Sequence, residues 1–177
     1  MQDILIKEYR PVQVAIANIP KPVIAAIPGS AAGIGMSMAL LCDLMIMADN
    51  AFLLSPFTTI SLVPDGGLSW LLVRQLGYRR AFQLSAESER ISAERCVELG
   101  LANKAVPADE LGSVAMEWAQ RLAKRAPLSL AATKKAMRFA MDSDWASAYQ
   151  LEAKLQGELL GTEEKREAIE TIDLKST

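Results

Sequence analysis

Over residues 4–19, Leu5, Tyr9, Val12, Ile16 and Ile19 recur at intervals of three and four, which predicts one face of an amphipathic helix. Pro11 marks a kink or an early break in it, and Pro20 and Pro22 stop it. Residues 23–27 are a continuous, partly β-branched apolar run closed by Pro28-Gly29, the pattern of a strand buried on both faces. After a turn over 30–35, residues 36–42 are apolar on every side and lack β-branching, which predicts a buried helix. Two more strands are expected at 44–48 and 52–54, with Asp49-Asn50 turning between them. Strand, helix and strand in succession imply a right-handed parallel unit.

Beyond Pro64-Asp65-Gly66-Gly67, residues 68–76 are helical in pattern and stop at Gly77. A second helix is expected over about 80–85. Ser92 precedes Glu94 and reads as the N-cap of a helix running to Gly100, followed by a short strand at 103–106. From Asp109 onward the pattern is almost wholly helical. Leu111, Val114, Ala115, Trp118 and Leu122 form one stripe, Pro127 separates it from the next segment, and Met137, Ala140, Met141, Leu151, Leu155 and Leu159 continue it. No internal repeat or flexible linker interrupts the chain. The reading is an α/β core over 1–108 followed by a helical region over 109–177.

Composition narrows this picture. With 51% hydrophobic and 23% charged residues among 177, one domain with a real core is the default. A net charge of -2 offers no general attraction to nucleic acid or to an anionic membrane. The longest apolar stretches are broken by Gly, Ser or Asp before reaching a bilayer span, so no membrane helix is expected. Gln2 and Asp3 start neither a secretory nor a transit signal, and Leu174-Lys175-Ser176-Thr177 is no peroxisomal tail; a reducing cytoplasm fits best. Cys42 and Cys96 are far apart and apolar in context, which reads as two buried thiols rather than a disulfide or a metal site. The count of histidines is zero. That excludes Ser-His-Asp and Cys-His catalysis and the HExxH zinc site, and leaves proton transfer to Asp, Glu, Lys, Tyr or Cys.

Two turns could carry chemistry. The stretch Ser30-Ala31-Ala32-Gly33-Ile34-Gly35-Met36-Ser37 lies between a strand and a helix, so the first backbone N–H groups of that helix point outward without intrahelical acceptors. It is either an anion or oxyanion site or a tight packing turn. Asp65, after the apolar Ile60-Ser61-Leu62-Val63, is either a partly dehydrated carboxylate suited to moving protons or a cap of the next helix. Met36, Met38, Met45 and Met47 read as core filler. Arg79-Arg80, Lys134-Lys135 and Arg138 read first as solvated charge.

Taken together, Lys21-Pro22-Val23-Ile24-Ala25-Ala26-Ile27-Pro28-Gly29-Ser30-Ala31-Ala32-Gly33-Ile34-Gly35 and Leu41-Cys42-Asp43-Leu44 resemble the signature segment of the enoyl-CoA hydratase/isomerase (crotonase) superfamily. Arg90-Ile91-Ser92-Ala93-Glu94-Arg95 and Gly100-Leu101-Ala102-Asn103-Lys104-Ala105-Val106-Pro107 are similar to the family's next recurring stretch. The resemblance implies a spiral of ββα units, a helical C-terminal trimerisation region, a homotrimer or hexamer, and an acyl-CoA thioester as substrate with no cofactor. The Ile34 N–H would supply one of two oxyanion donors, with Ala32, Gly33, Ser37, Phe57, Leu62 and Pro64 lining the substrate.

Family hydratases carry Glu where this chain has Ser37 and Phe57, whereas Leu54-Ser55-Pro56-Phe57 followed by Pro64-Asp65-Gly66 is similar to the single-acid isomerases. Asp65 would then shift a proton two carbons along the acyl chain. The family strands that supply the second oxyanion donor and much of the adenine pocket come before the segment matching 4–19, and without them the chain is read either as a fragment or as a natural short form. Three functions follow: an enoyl-CoA isomerase, a hydratase or other acyl-CoA reaction of the same superfamily, or a catalytically impaired scaffold.

Overall fold

The computed structural model describes residues 2–166 and residue 169. They fall into two compact units, one formed by the chain up to Ile19 with Val23–Ala119, the other by Pro20–Pro22 with the chain from Gln120 onward.

The first unit opens on a helix in three parts: α1 (Gln2–Ile4), a π turn over Leu5–Tyr9, and α2 (Arg10–Asn18). Pro11 lies in the first turn of α2, directly after the π turn; it removes one N–H from the ladder where the helix is locally widened, and the helix continues past it rather than breaking. The apolar stripe read from the sequence finds no core here. No α2 residue is buried, and Tyr9, Val12 and Ile19 are exposed.

Six strands follow: β1 (Ile24–Ile27), β2 (Ser30–Ala32), β3 (Leu44–Ala48), β4 (Phe52–Leu54), β5 (Ile91–Ser92) and β6 (Lys104–Val106). They form two sheets, ordered β1-β3-β6 and β2-β4-β5. Successive strands are dealt alternately, β1 and β3 to one sheet and β2 and β4 to the other, with parallel pairing within each couple. Helix α3 (Ile34–Leu41) closes the first pair, and corners at Pro28-Gly29 and Asp49-Asn50 let consecutive strands change sheet. The ββα repetition implied by the resemblance is therefore present.

Two expectations for this region are corrected. Among the described residues β1 is an edge strand, half-buried with Ala26 exposed, because a continuous apolar run signals two covered faces only when the strand is central. Residues 30–32 are a strand rather than part of a turn. Ser-Ala-Ala has little β propensity of its own, and pairing with Phe52, Leu53 and Leu54 makes it a strand. Helix α3 accordingly starts at Ile34, two residues before the predicted position.

Met36, Ile46, Met47, Leu53, Leu68, Leu72 and Cys96 are among the fully buried side chains, so the methionines are mainly core, with Met38 half-buried. Around them pack α4 (Leu68–Leu76), α5 (Tyr78–Glu87) and α6 (Ala93–Glu98). Ser92 caps α6 as its position predicts, its hydroxyl accepting the Arg95 N–H at 3.2 Å. Asn103 ties β3 to the segment leading into β6: its backbone N–H donates to the Met45 carbonyl at 2.9 Å and its side-chain oxygen accepts the Met45 N–H at 2.8 Å. Burial pushes the Cys96 thiol up to about 12, which makes it inert; Cys42 is half-buried, and neither cysteine is in a disulfide. Leu53→Ala is expected to destabilise the chain by about 2–5 kcal/mol, measured as a fall in the urea midpoint at constant m-value.

Helix α7 (Leu111–Ala123) presents the predicted stripe, with Leu111 buried and Val114, Ala115 and Trp118 against the core. In the second unit α8 (Pro127–Ala140) and α9 (Trp145–Leu160) pack together. Asp144 caps α9 by accepting the Ser147 N–H at 2.9 Å, and the Glu164 carboxylate accepts the Leu128 N–H at 3.2 Å. Leu155 is buried, whereas Met137, placed by periodicity on the inner stripe, is exposed. Among the described residues no helix is long and apolar enough to cross a membrane. The tail at 174–177 lies outside the described residues.

Candidate active site

The site is assembled where three turns of the first unit meet. The first leads from β2 into α3. Its Gly33 has φ +55 and ψ -123, a backbone state that glycine reaches without strain. The Gly33 N–H donates to the Leu54 carbonyl at 3.0 Å, and the Gly33 carbonyl accepts the Ser37 N–H at 3.1 Å. With Gly33 fixed in this way, the next amide, that of Ile34, is the first of the helix, where the dipole adds positive potential to an N–H lacking an intrahelical acceptor.

The second turn follows β4. Phe57 opens a short 3-10 helix (Phe57–Ile60), is buried, and its ring stands 3.6 Å from where a side chain on Gly33 would begin. The Thr58 hydroxyl is held by Ser88 at 2.7 Å and by the Ala86 carbonyl at 3.1 Å. Ser61 ends this helix in the left-handed region, φ 58, and redirects the chain so that Ile60, Leu62 and Val63 project outward, 61%, 53% and 73% exposed. Among the described residues Leu62 therefore encloses nothing. Three neighbouring exposed apolar side chains instead form a surface that excludes water only when something covers it.

The third turn, Pro64-Asp65-Gly66-Gly67, bears on the capping reading of Asp65. The N-cap of α4 is Gly67, with no side-chain capping bond, so the Asp65 carboxylate does not cap the helix; only its backbone carbonyl is used, accepting from Leu68 N–H at 3.0 Å. Partial burial raises the carboxyl above its ordinary value, since charge is less stable where water is partly excluded.

Gly66 locks this turn to the first one. It has φ +60, and a side chain there would begin 2.2 Å from Ile34 Cδ1 and 3.2 Å from Ser37 Oγ and Gln13 Nε2. Its carbonyl accepts hydrogen bonds from Gln13 Nε2 at 2.7 Å and from the Ser37 hydroxyl, and Gln13 also donates to Ser37 Oγ at 3.0 Å. The acid and the Ile34 amide are thus carried by turns in direct contact.

Of the residues singled out by sequence, Gly33, Ile34, Phe57 and Asp65 are drawn into one region. Pro64 is half-buried beside Asp65, and Ala32 is exposed at the end of β2. Ser37 is fully buried and donates its proton to the Gly66 carbonyl, so it supports the acid turn. Gln13 was missed. Its signal was available, a polar residue in phase with Tyr9 and Ile16 on an otherwise apolar helical stripe. Among the described residues no cluster of three His, Cys, Asp or Glu side chains has the arrangement of a metal site.

Comparison with known proteins finds relatives of this chain. A family model described as enoyl-CoA hydratase/isomerase matches residues 1–173. A probable enoyl-CoA hydratase of Rhodobacter capsulatus is 37% identical over 172 residues, covering 97% of this chain and 67% of the relative. A 1,2-epoxyphenylacetyl-CoA isomerase of Escherichia coli is 34% identical over 148 residues, 84% of this chain and 56% of that protein. The crystal structure of an enoyl-CoA hydratase from Polaromonas sp. JS666 superposes with a TM-score of 0.91 at 37% identity, covering 94% of this chain and 65% of that one. The chain spans about two thirds or less of the length of these relatives.

Proposed function

Because this chain belongs to the enoyl-CoA hydratase/isomerase family, we propose that it acts on an enoyl-CoA thioester, and that the reaction is migration of the double bond with Asp65 as the proton carrier. One observation carries the proposal: a partly dehydrated carboxylate, not used as a helix cap, sits on a turn held by Gly66 against the residue that offers the Ile34 N–H. In this mechanism the ionised Asp65 removes a proton from the carbon between the alkene and the thioester carbonyl. Negative charge spreads onto the thioester oxygen, which the Ile34 N–H and the α3 dipole stabilise. The same carboxyl returns the proton at the far end of the dienolate, so atoms and charge balance without a cofactor. Ile60, Leu62 and Val63 offer apolar surface for the acyl chain, and Phe57 closes the floor beside Gly33.

A second reading, hydration of a 2-enoyl-CoA, is favoured by the printed function of relatives such as the Rhodobacter capsulatus protein. Against it stand Ser37, whose proton is committed to Gly66, and Phe57, a hydrocarbon, at the two positions where the resemblance puts glutamates. The test is direct: purified chain is given a 3-enoyl-CoA and, separately, a 2-enoyl-CoA. Conversion of the first to the conjugated 2-enoyl isomer supports the isomerase reading. Conversion of only the second to a 3-hydroxyacyl-CoA replaces it with hydration, and inertness toward both supports the scaffold.

The assembly belongs to the proposal as well. A homotrimer or hexamer would cover Met137, Phe139 and Trp145, which are exposed on the helices of the second unit.

A further inference from the structure

Helix α2 contributes no buried residue to the first unit and leaves Val12 and Val14 exposed, as is Ile19 just after it. Gln13 departs from this pattern. It is half-buried, and its side-chain nitrogen reaches across 24 and 53 positions of sequence to Ser37 Oγ at 3.0 Å and to the Gly66 carbonyl at 2.7 Å. A carbonyl oxygen has two lone pairs, and here both are occupied, one by Gln13 and one by the Ser37 hydroxyl.

We propose that Gln13 is a positioning residue of this site: its amide sets where the Gly66 carbonyl stands, and through it where the Asp65 carboxylate stands relative to the Ile34 N–H. The inference rests on the reading of Asp65 as the proton carrier. Three features support a role in placement beyond simple adhesion. The bond is made to the residue adjacent to the acid. The same carbonyl also takes the Ser37 hydroxyl, so two donors from different helices define one position. Gln13 carries no charge, so its effect on Asp65 runs through geometry and hydration.

Without Gln13, Ser37 still holds one lone pair and water reaches the other. The turn loosens and the carboxylate becomes better hydrated and less well aimed. Small misplacements of a reacting group lower rates by up to about 100-fold.

The experiment uses the purified full chain with a 3-enoyl-CoA, comparing wild type, Gln13→Ala and Gln13→Glu, together with a substrate-free titration of the Asp65 carboxyl by carbon-13 NMR. For Gln13→Ala the expectation is a fall in kcat of about 10- to 100-fold, a KM near wild type, and an Asp65 titration displaced toward the ordinary carboxylate value. In Gln13→Glu the ionised side chain opposes the Gly66 carbonyl, acceptor against acceptor, whereas the protonated side chain can donate one bond. Its rate relative to wild type should therefore recover as pH falls.

Wild-type kcat and an unmoved Asp65 titration in Gln13→Ala would overturn the proposal, and so would a Gln13→Glu defect that stays constant with pH. Should Gln13→Ala lose its native circular dichroism, Gln13→Met, which keeps the length and packing of the side chain, carries the same comparison. A wild type that fails to isomerise sinks the reading of Asp65, and the NMR titration then decides the role of Gln13 by itself.

Discussion

Asp65→Asn is expected to lower the rate of double-bond migration by about 100- to 10,000-fold with little change in the fold or in thioester affinity. The amide keeps the size of the side chain and removes its ability to take a proton. The carboxylate is not used as the cap of α4, so its replacement leaves the turn standing, and circular dichroism and calorimetric binding of acyl-CoA serve as controls.

The pH dependence follows from the raised value of Asp65. The ionised form is the base, so wild-type kcat/KM should fall as pH drops through a midpoint above the ordinary carboxylate range. Stability moves in the opposite sense. Between the unfolded and the folded value the native state holds more protons than the unfolded chain, so this group's contribution is greatest at low pH and declines as pH rises. Asp65→Asn lacks that decline, and its urea midpoint relative to wild type should rise over the same window. Equal isomerisation rates for the two proteins would remove Asp65 from the mechanism.

Gly66→Ala is expected to be the most damaging single methyl in the site. At φ +60 a residue with a side chain is strained, and the new carbon would start 2.2 Å from Ile34 Cδ1. The Ile34 side chain can swing away, but it is attached to the residue whose N–H is assigned to the thioester oxygen, and the Gln13 and Ser37 contacts at 3.2 Å limit any retreat of the turn. A loss of about 1–3 kcal/mol in stability is anticipated from the backbone strain, together with a fall in activity beyond what unfolding explains. Gly67→Ala is the control. It also has a positive φ, +78, but meets nothing within 4 Å, so its effect should be confined to stability. Similar activity losses in the two variants would show that the contact with Ile34 is not what matters.

How far the sequence was legible differs from element to element. Helices α4 and α6 were marked by chemistry local to their ends, Gly77 in one case and the Ser92 cap in the other, and both lie where those residues place them. Strand β2 was not visible, because Ser30-Ala31-Ala32 becomes a strand only by lying beside Phe52-Leu53-Leu54. The stripe on α2 was visible but misleading. Periodicity records which residues share a face, not what that face meets.

The candidate site divides along the same line. The order of residues alone determined that histidine chemistry is absent, that the glycine turn before α3 exposes backbone amides, and that an acid follows an apolar loop, since each of these is set by residues adjacent in sequence. Tertiary structure alone decided that Gly66 bears on Ile34, that Ser37 faces inward as a support, and that Gln13 reaches the acid turn. Those relations join residues up to 53 positions apart, and the free energy that sets them comes from close packing and from satisfying one shared carbonyl, neither of which is encoded in any single stretch of the chain.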